Sequence, residues 1–280
     1  MHLDAAVTAA APGAPAGAAG ALAALDPDTP ALATRLRVAH LIGQCAHESL
    51  GFTRTVESLH YTTPERLMAV WPGRFAAARD AAACVANPQV LANRVYGGRM
   101  GNIEADDGWR YRGRGWLQLT GRANYRRFGR LLGLDLEAEP GRAAEPGAAW
   151  RIAALYLATR RRNGRTALEW ADSDNPEMVT RIVNGGLHGL ADRRARTAAA
   201  LAALTALTRG PRRVRRGDAG AEVLLLQQAL ARQGFSPGAL DGAFGPLTEA
   251  ALAAFQRAAG LAPDGIAGIE TLAALTPQAA

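Results

Sequence analysis

Gln44-Cys45-Ala46-His47-Glu48-Ser49-Leu50-Gly51-Phe52, followed shortly by Val56-Glu57-Ser58-Leu59, is the stretch on which the reading of the fold turns. Upstream of it, Leu32, Leu36, Ala39, Ile42 and Ala46 recur at steps of three and four residues, the spacing of one apolar helix face. The pattern predicts a helix over 29–48, capped by Thr29 with Pro30 in its first turn. Gly51 is a stop signal, so Glu48 falls in the last turn. There the negative end of the helix dipole disfavours its charge and, in a partly dry site, suits it to giving a proton. Glu57 lies beyond the glycine on a different element and stays ionised. Two carboxylates nine positions apart in unlike surroundings fit the acid and base of glycoside hydrolysis. Two solvated surface acids are the plain alternative, and spacing does not choose between them.

With 280 residues, 49% hydrophobic and 20% charged, the chain has room for one large or two unequal domains and is too apolar to be mainly disordered. No apolar run approaches the roughly 18 residues of a membrane span. The first 25 residues are rich in Ala, Gly and Pro without a basic start, which argues against a secretory leader. They predict a flexible lead-in over 1–28. All 32 cationic residues are arginine, and the net charge of +7 favours polyanionic partners: nucleic acid, anionic membrane or cell-wall polymer. The five histidines (2, 40, 47, 60 and 188) are scattered, and neither HExxH nor CxxC occurs, so no metal or other cofactor is expected. Cys45 and Cys84 leave open both a disulfide and two free thiols.

Thr63-Pro64 opens a second helix that Trp71-Pro72 breaks, and 87–93 predict a short third. The glycine-dense Tyr96-Gly97-Gly98-Arg99-Met100-Gly101-Asn102 reads as loop or as backbone approached closely by something else. The run from Trp109 to Tyr125 then interleaves aromatics, arginines, amides and a hydroxyl with glycines. A sugar-binding surface, a nucleobase-stacking patch and a tight hairpin with solvated arginines all fit it. Helices follow over 125–132, 146–162, 176–184 and 192–207, the third ended by Asn184-Gly185-Gly186 with Asn184 left facing a cleft. A mainly α domain over 29–207 results.

Residues 208–216 read as a linker: the run Thr208 to Gly217 carries Gly, Pro and five arginines. Beyond it, 217–280 hold an internal repeat, Asp241-Gly242-Ala243-Phe244-Gly245-Pro246-Leu247-Thr248 returning 23 residues later as Asp264-Gly265-Ile266-Ala267-Gly268-Ile269-Glu270-Thr271. Each copy is a glycine turn whose Thr can cap the next helix. Helical stripes at 223–230 and 250–258 complete a three-helix module, too poor in polar clusters for an active site and built as a binding appendage.

Five segments in order resemble a glycoside hydrolase family 19 domain, the chitinase and endolysin group: His47-Glu48-Ser49, Val56-Glu57-Ser58-Leu59, Tyr96 to Asn102, Gly113 to Tyr125, and Val183-Asn184-Gly185-Gly186. Residues 214–276 are similar to the peptidoglycan-binding type 1 module through Arg216-Gly217-Asp218, Leu226-Gln227, the Asp-Gly repeats and Phe255-Gln256. The first resemblance implies a mainly α, two-lobed, lysozyme-like fold. It also implies inverting hydrolysis of β-1,4 links to N-acetylhexosamines without metal or cofactor. Carried over by position, Glu48 is the general acid, Glu57 the general base and Thr120 the hydroxyl that holds the water. Gln118, Asn124 and Asn184 match substrate-contacting amides, Tyr111 a cleft aromatic, and Arg193 the arginine that orients the carboxylates, with Arg194 and Arg196 competing for that place. Leu50 departs from the glycine expected after Glu48, and the loops of plant-type chitinases are missing, which implies a shorter, more open cleft.

The wall-binding module directs the substrate reading to peptidoglycan glycan strands, cut by an endolysin-like muramidase. Chitin oligomers are the alternative substrate, and a non-catalytic wall-binding protein is the alternative of a different class. Neither nucleic acid nor stable membrane insertion is expected, and the chain is read as a monomer. It is expected to act on the wall, in the periplasm or outside the cell, after release from the cytoplasm by a holin, by lysis or by a non-standard export route.

Overall fold

The computed structural model describes residues 3–206 and 213–275, which form two compact units divided after Leu204. The predicted flexible lead-in is instead helical: α1 (Leu3–Ala10) and α2 (Ala16–Ala23) belong to the first unit. Leu3, Ala6, Val7 and Ala10 form one buried stripe, and Ala18 and Leu22 join the same core. The Trp150 indole donates to the Ala18 carbonyl at 2.8 Å. Small residues let these helices lie close, which is why so bland a composition packs.

α3 (Arg35–Glu48) begins later than the periodicity predicts. Pro30–Leu32 form a separate 3-10 turn without a cap from the Thr29 side chain, and Thr34 Oγ1 accepts from Arg37 N at 3.1 Å instead. Residues 38 to 46 of α3 are buried without a break, so this is a central helix rather than a one-faced one. Around it pack α1, α2, α9 (Pro146–Thr159), α10 (Ala167–Ala171), α11 (Pro176–Asn184) and α12 (Leu190–Ala206), centred on Leu41, Ile42, Trp150 and Leu157. A hairpin of two-residue strands, β1 (Arg161–Arg162) and β2 (Arg165–Thr166), joins α9 to α10.

A second core around Leu67, Phe75, Leu91 and Val95 gathers α4 (Pro64–Val70), α5 (Ala78–Ala82), α6 (Pro88–Tyr96) and α7 (Asp107–Arg110). Thr63, Asn87 and Asn175 cap α4, α6 and α11, each ahead of a proline in the first turn. A third core sets α8 (Arg122–Leu132) and its Tyr125 and Phe128 against Tyr111, Leu136 and Ile152. Cys45 and Cys84 are free, buried thiols in different cores, and burial pushes both up.

The second unit holds α13 (Ala221–Arg232), α14 (Pro246–Ala258) and α15 (Ile269–Leu275) on a core of Val214, Leu226, Leu230, Leu252 and Phe255. The repeat has one physical device in both copies. Gln227 Nε2 donates to Asp241 Oδ1, the Ala243 carbonyl and Thr248 Oγ1, while its Oε1 accepts from Gly242 N. Gln256 does the same with Asp264, Ile266, Thr271 and Gly265 N. Thr248 and Thr271 are therefore not caps. Each lies inside its helix, buried on a glutamine; Pro246 starts α14 and leaves Gly245 at the cap position. Of the expected linker, 208–212 lie outside the described residues. Val214 already belongs to the second core and pairs with Ala267, so the basic stretch enters the module earlier than its composition suggests.

Candidate active site

Two adjacent pairs face each other across α3 and α12: His47-Glu48 and Asp192-Arg193. The fully buried Arg193 donates through Nη2 to Glu48 Oε1, through Nη1 to Gln44 Oε1 at 2.6 Å, and through Nε to the His188 carbonyl at 3.1 Å. Gln44 Nε2 continues the chain to Thr180 Oγ1 at 3.2 Å. The planar guanidinium, fixed on three sides, sets the orientation of the Glu48 carboxylate. Of the three arginines in question, Arg193 is the one on Glu48; Arg194 pairs with Glu177 and Arg196 with Asp192, each at 2.7 Å. His47 Nδ1 lies 2.7 Å from Asp192 Oδ2, and Arg196 also reaches the Ala10 carbonyl at the end of α1 at 2.9 Å. Burial raises Asp192, but the bonds from Arg196 and His47 outweigh it and hold the carboxyl below its ordinary range.

Glu57 is held differently. Its segment pairs with the Gly113 loop, Glu57 N donating to the Gly113 carbonyl at 3.0 Å and Gly115 N to the Thr55 carbonyl at 2.8 Å. This pairing aims Gly113 N at Glu57 Oε1, while the Tyr96 hydroxyl donates to Oε2 at 2.7 Å. Burial and then the Glu57 charge push the Tyr96 phenol well up, so it remains a donor across the neutral range. Asn102 sets Tyr96 in place: its Nδ2 donates to the Tyr96 carbonyl at 3.0 Å and its Oδ1 accepts from Arg122 N, at the start of α8, at 2.8 Å. A side chain at Gly113 would push against the Gln118 amide and the Glu57 carboxyl. A Cβ there would stand 2.7 Å from Gln118 Oε1 and 3.3 Å from the Glu57 carboxyl.

Gln118 therefore lies beside Glu57, and Thr120 and Asn124 are tied to it: Thr120 Oγ1 donates to the Gln118 carbonyl at 2.9 Å, and Asn124 Nδ2 to the Thr120 carbonyl at 2.7 Å. Asn184 is exposed at the end of α11, where Gly185 in the left-handed conformation terminates the helix. Tyr111 is not a cleft aromatic. It is 1% exposed, packs on Tyr125, and donates to the Glu137 carbonyl at 3.0 Å, because α8 closes over it. Arg114 is likewise a scaffold residue, buried on Tyr125 and on the carbonyls of its own loop. The roles of Tyr96, Gln44 and Thr180 are what sequence reasoning missed; a hydroxyl-bearing aromatic at the head of a glycine block was the available signal for Tyr96.

A charged cavity of about 410 Å³ borders Asp107, Arg110, Arg122 and Glu137, with neither Glu48 nor Glu57 among its lining residues. Among the described residues no group of three or more His, Cys, Asp and Glu could hold a metal ion.

Residues 219–275 match the family model of a putative peptidoglycan binding domain. A glycosyl hydrolase family 19 domain-containing protein of Haemophilus influenzae is 34% identical over 164 residues, covering 57% of this chain and 76% of that protein. Among solved structures, chitinase C of Streptomyces griseus is 20% identical with a TM-score of 0.40, covering 74% of each chain. A bacterial family 19 chitinase is 20% identical with a TM-score of 0.43, covering 71% of this chain and 95% of its own. The SleB N-terminal domain is 42% identical over 23% of this chain and 89% of its own, with a TM-score of 0.23. By its identity to the Haemophilus relative over most of that protein's length, the chain belongs to glycoside hydrolase family 19 and carries a C-terminal peptidoglycan-binding domain.

Proposed function

We propose that the enzyme hydrolyses the glycan of peptidoglycan by a single inverting displacement. The observation that carries this reading is the wall-binding domain at 219–275 on the same chain as two differently held carboxylates. Glu48 gives its proton to the glycosidic oxygen as the bond from the anomeric carbon breaks and its electron pair passes to that oxygen. Glu57 takes a proton from a water near Thr120, and the water oxygen bonds to the anomeric carbon from the opposite face. This division of labour requires two carboxyls roughly 6.5 to 9.5 Å apart, with room for the water between them. The second unit concentrates the enzyme on the sacculus, as a second binding module raises effective concentration. The enzyme works on the wall as a monomer, released from the cytoplasm by a holin, by lysis or by a non-standard export route.

Mass spectrometry of products from purified sacculi, run beside chitin oligomers, identifies the bond cut, and proton NMR of the fresh products reads their anomeric configuration. New reducing ends on muramyl glycan with inverted anomeric configuration are expected. Cleavage of chitin oligomers with sacculi left intact would assign the chain to the chitinases instead.

A further inference from the structure

We propose that Arg112 is a specificity residue that takes a carboxylate of the muramic acid substituent, an inference resting on the muramyl-glycan reading above. Arg112 immediately precedes Gly113, whose N–H holds Glu57. Its backbone does not drift: the Arg112 carbonyl accepts from the Tyr125 hydroxyl at 2.7 Å. Its guanidinium carbon lies over the Trp109 ring, 3.6 Å from the centroid, and Nη1 donates to the Trp109 carbonyl at 2.9 Å. The cation is therefore fixed in position and half-buried.

What this cation lacks, among the described residues, is a carboxylate in hydrogen-bond contact. Arg122, Arg126, Arg193, Arg194 and Arg196 each sit in an ion pair, while Arg112 is in none among the described residues. Burial and then the neighbouring Arg114 push its pKa down, and the smaller opposing charges of Tyr125, Glu57 and Asp106 do not restore it. A partly dehydrated cation without a partner is unfavourable unless something supplies the anion. Nη1 is occupied by Trp109, and the Nε–Nη2 edge has no partner among the described residues. That edge is the fork that meets a carboxylate with two parallel hydrogen bonds.

The substrate chemistry matches. A chitin chain repeats one neutral sugar. Muramic acid adds a lactyl acid, which is either free as a carboxylate or amide-linked to a stem peptide that carries carboxylates of its own. Both sources offer the same group, beside the carboxylate that activates water.

The test measures kcat/KM of the wild type and Arg112→Gln on three substrates: intact sacculi, glycan stripped of stem peptides so that the lactyl carboxylate is free, and stripped glycan with that carboxylate converted to a neutral methylamide. If the lactyl carboxylate is the ligand, the wild type prefers free over neutralised glycan by on the order of tenfold. Arg112→Gln then treats the two alike, and Arg112→Lys recovers part of the preference. If the ligand is a stem carboxylate, the difference between wild type and Arg112→Gln appears on intact sacculi and vanishes on both stripped forms. A wild type indifferent to neutralisation, combined with an Arg112→Gln loss equal on all three substrates, overturns the proposal. The wild-type arm stands whether or not the variant folds well. A wild type that cleaves none of the three sinks the peptidoglycan reading itself, a separate failure from this one.

Discussion

Glu48 and Glu57 are the same residue type nine positions apart, and the fold treats them in opposite ways. Glu48 ends a buried helix and meets a full positive charge, Arg193, itself wholly enclosed and braced by Gln44 and the His188 carbonyl. Glu57 follows on the far side of the turn and takes its hydrogen bonds from neutral donors, the Tyr96 phenol and the Gly113 amide, with the Arg112 charge acting on it without a hydrogen bond. A carboxylate anchored by a rigid cation keeps its direction but not its solvation. One anchored by neutral donors is held by hydrogen bonds without a paired charge. The difference teaches how one short stretch puts two carboxylates in unlike surroundings: the carboxylates come from the stretch, and their partners come from separate, distant elements.

Removing either carboxylate tests the contrast most severely. Glu48→Gln and Glu57→Gln should each lower turnover on natural glycan by about 10²–10⁴-fold. A glycan with a nitrophenolate leaving group needs no protonation at that oxygen. On it Glu48→Gln should recover most of its rate and Glu57→Gln none. Equal recovery by both variants would reverse or dissolve the assignment.

The partners come next in size. Arg193→Gln leaves Gln44 and Glu48 without their shared donor and should cost about 3 kcal/mol of stability, the lower end for a broken buried pair because Glu48 is partly exposed. Tyr96→Phe removes one neutral donor from the Glu57 carboxylate and should cost about 1.5 kcal/mol, the lower end for a bond to a charged group because Glu57 is partly exposed. Urea unfolding of both variants measures the gap. Similar losses would mean that the charged and neutral anchors are equivalent.

A pH series sharpens the Tyr96 side further. The folded phenol ionises well above its ordinary value of 10, first from burial and then from the Glu57 charge. A folded value raised in this way contributes stability that is fully present below about pH 10 and lost as pH rises beyond it, because the unfolded phenol ionises first. Near pH 11 that loss reaches about 1.4 kcal/mol. The unfolding free energies of wild type and Tyr96→Phe, separate at pH 9, should therefore converge by about pH 11. Parallel curves would show that Tyr96 is not held protonated by its site.

Much of this was readable before the fold was known, and for a local reason. Thr63-Pro64 and Asn175-Pro176 open helices because capping chemistry needs only neighbouring residues. The two carboxylates stood out as a pair, but their spacing alone did not separate them from solvated surface acids. What was not legible depends on contacts far apart in the chain. α1 and α2 looked like a loose lead-in because what holds them, Trp150 and Arg196, lies 132 and 186 residues from the carbonyls they bind. The choice among Arg193, Arg194 and Arg196 depends on which side of α12 faces α3, and Arg193 is 145 residues from Glu48. Tyr111 looked available to a sugar because nothing local announces that α8 will cover it.

The smallest effect concerns the turn that separates the two carboxylates. Leu50, Gly51 and Phe52 all have positive φ, at 51°, 68° and 67°. Ser49 Oγ, accepting from Phe52 N at 2.9 Å and donating to the Cys45 carbonyl at 2.6 Å, holds that run in place. Phe52 gains from its strained conformation, since its ring is enclosed against Trp116 and Trp150. Leu50 has no such return, being 58% exposed. Its left-handed backbone costs about 1–2 kcal/mol, against about 0.5–1 kcal/mol that a glycine loses through its freer unfolded chain. Leu50→Gly should therefore stabilise the protein by about 0.5 kcal/mol and raise the melting temperature by about 1–2 °C, with turnover unchanged. Gly51→Ala should move it the other way by a similar amount, because it places a side chain at φ of 68°. A lower melting temperature for Leu50→Gly would mean that the leucine makes a contact worth more than the strain, and that the turn after Glu48 is held by its side chain rather than by Ser49.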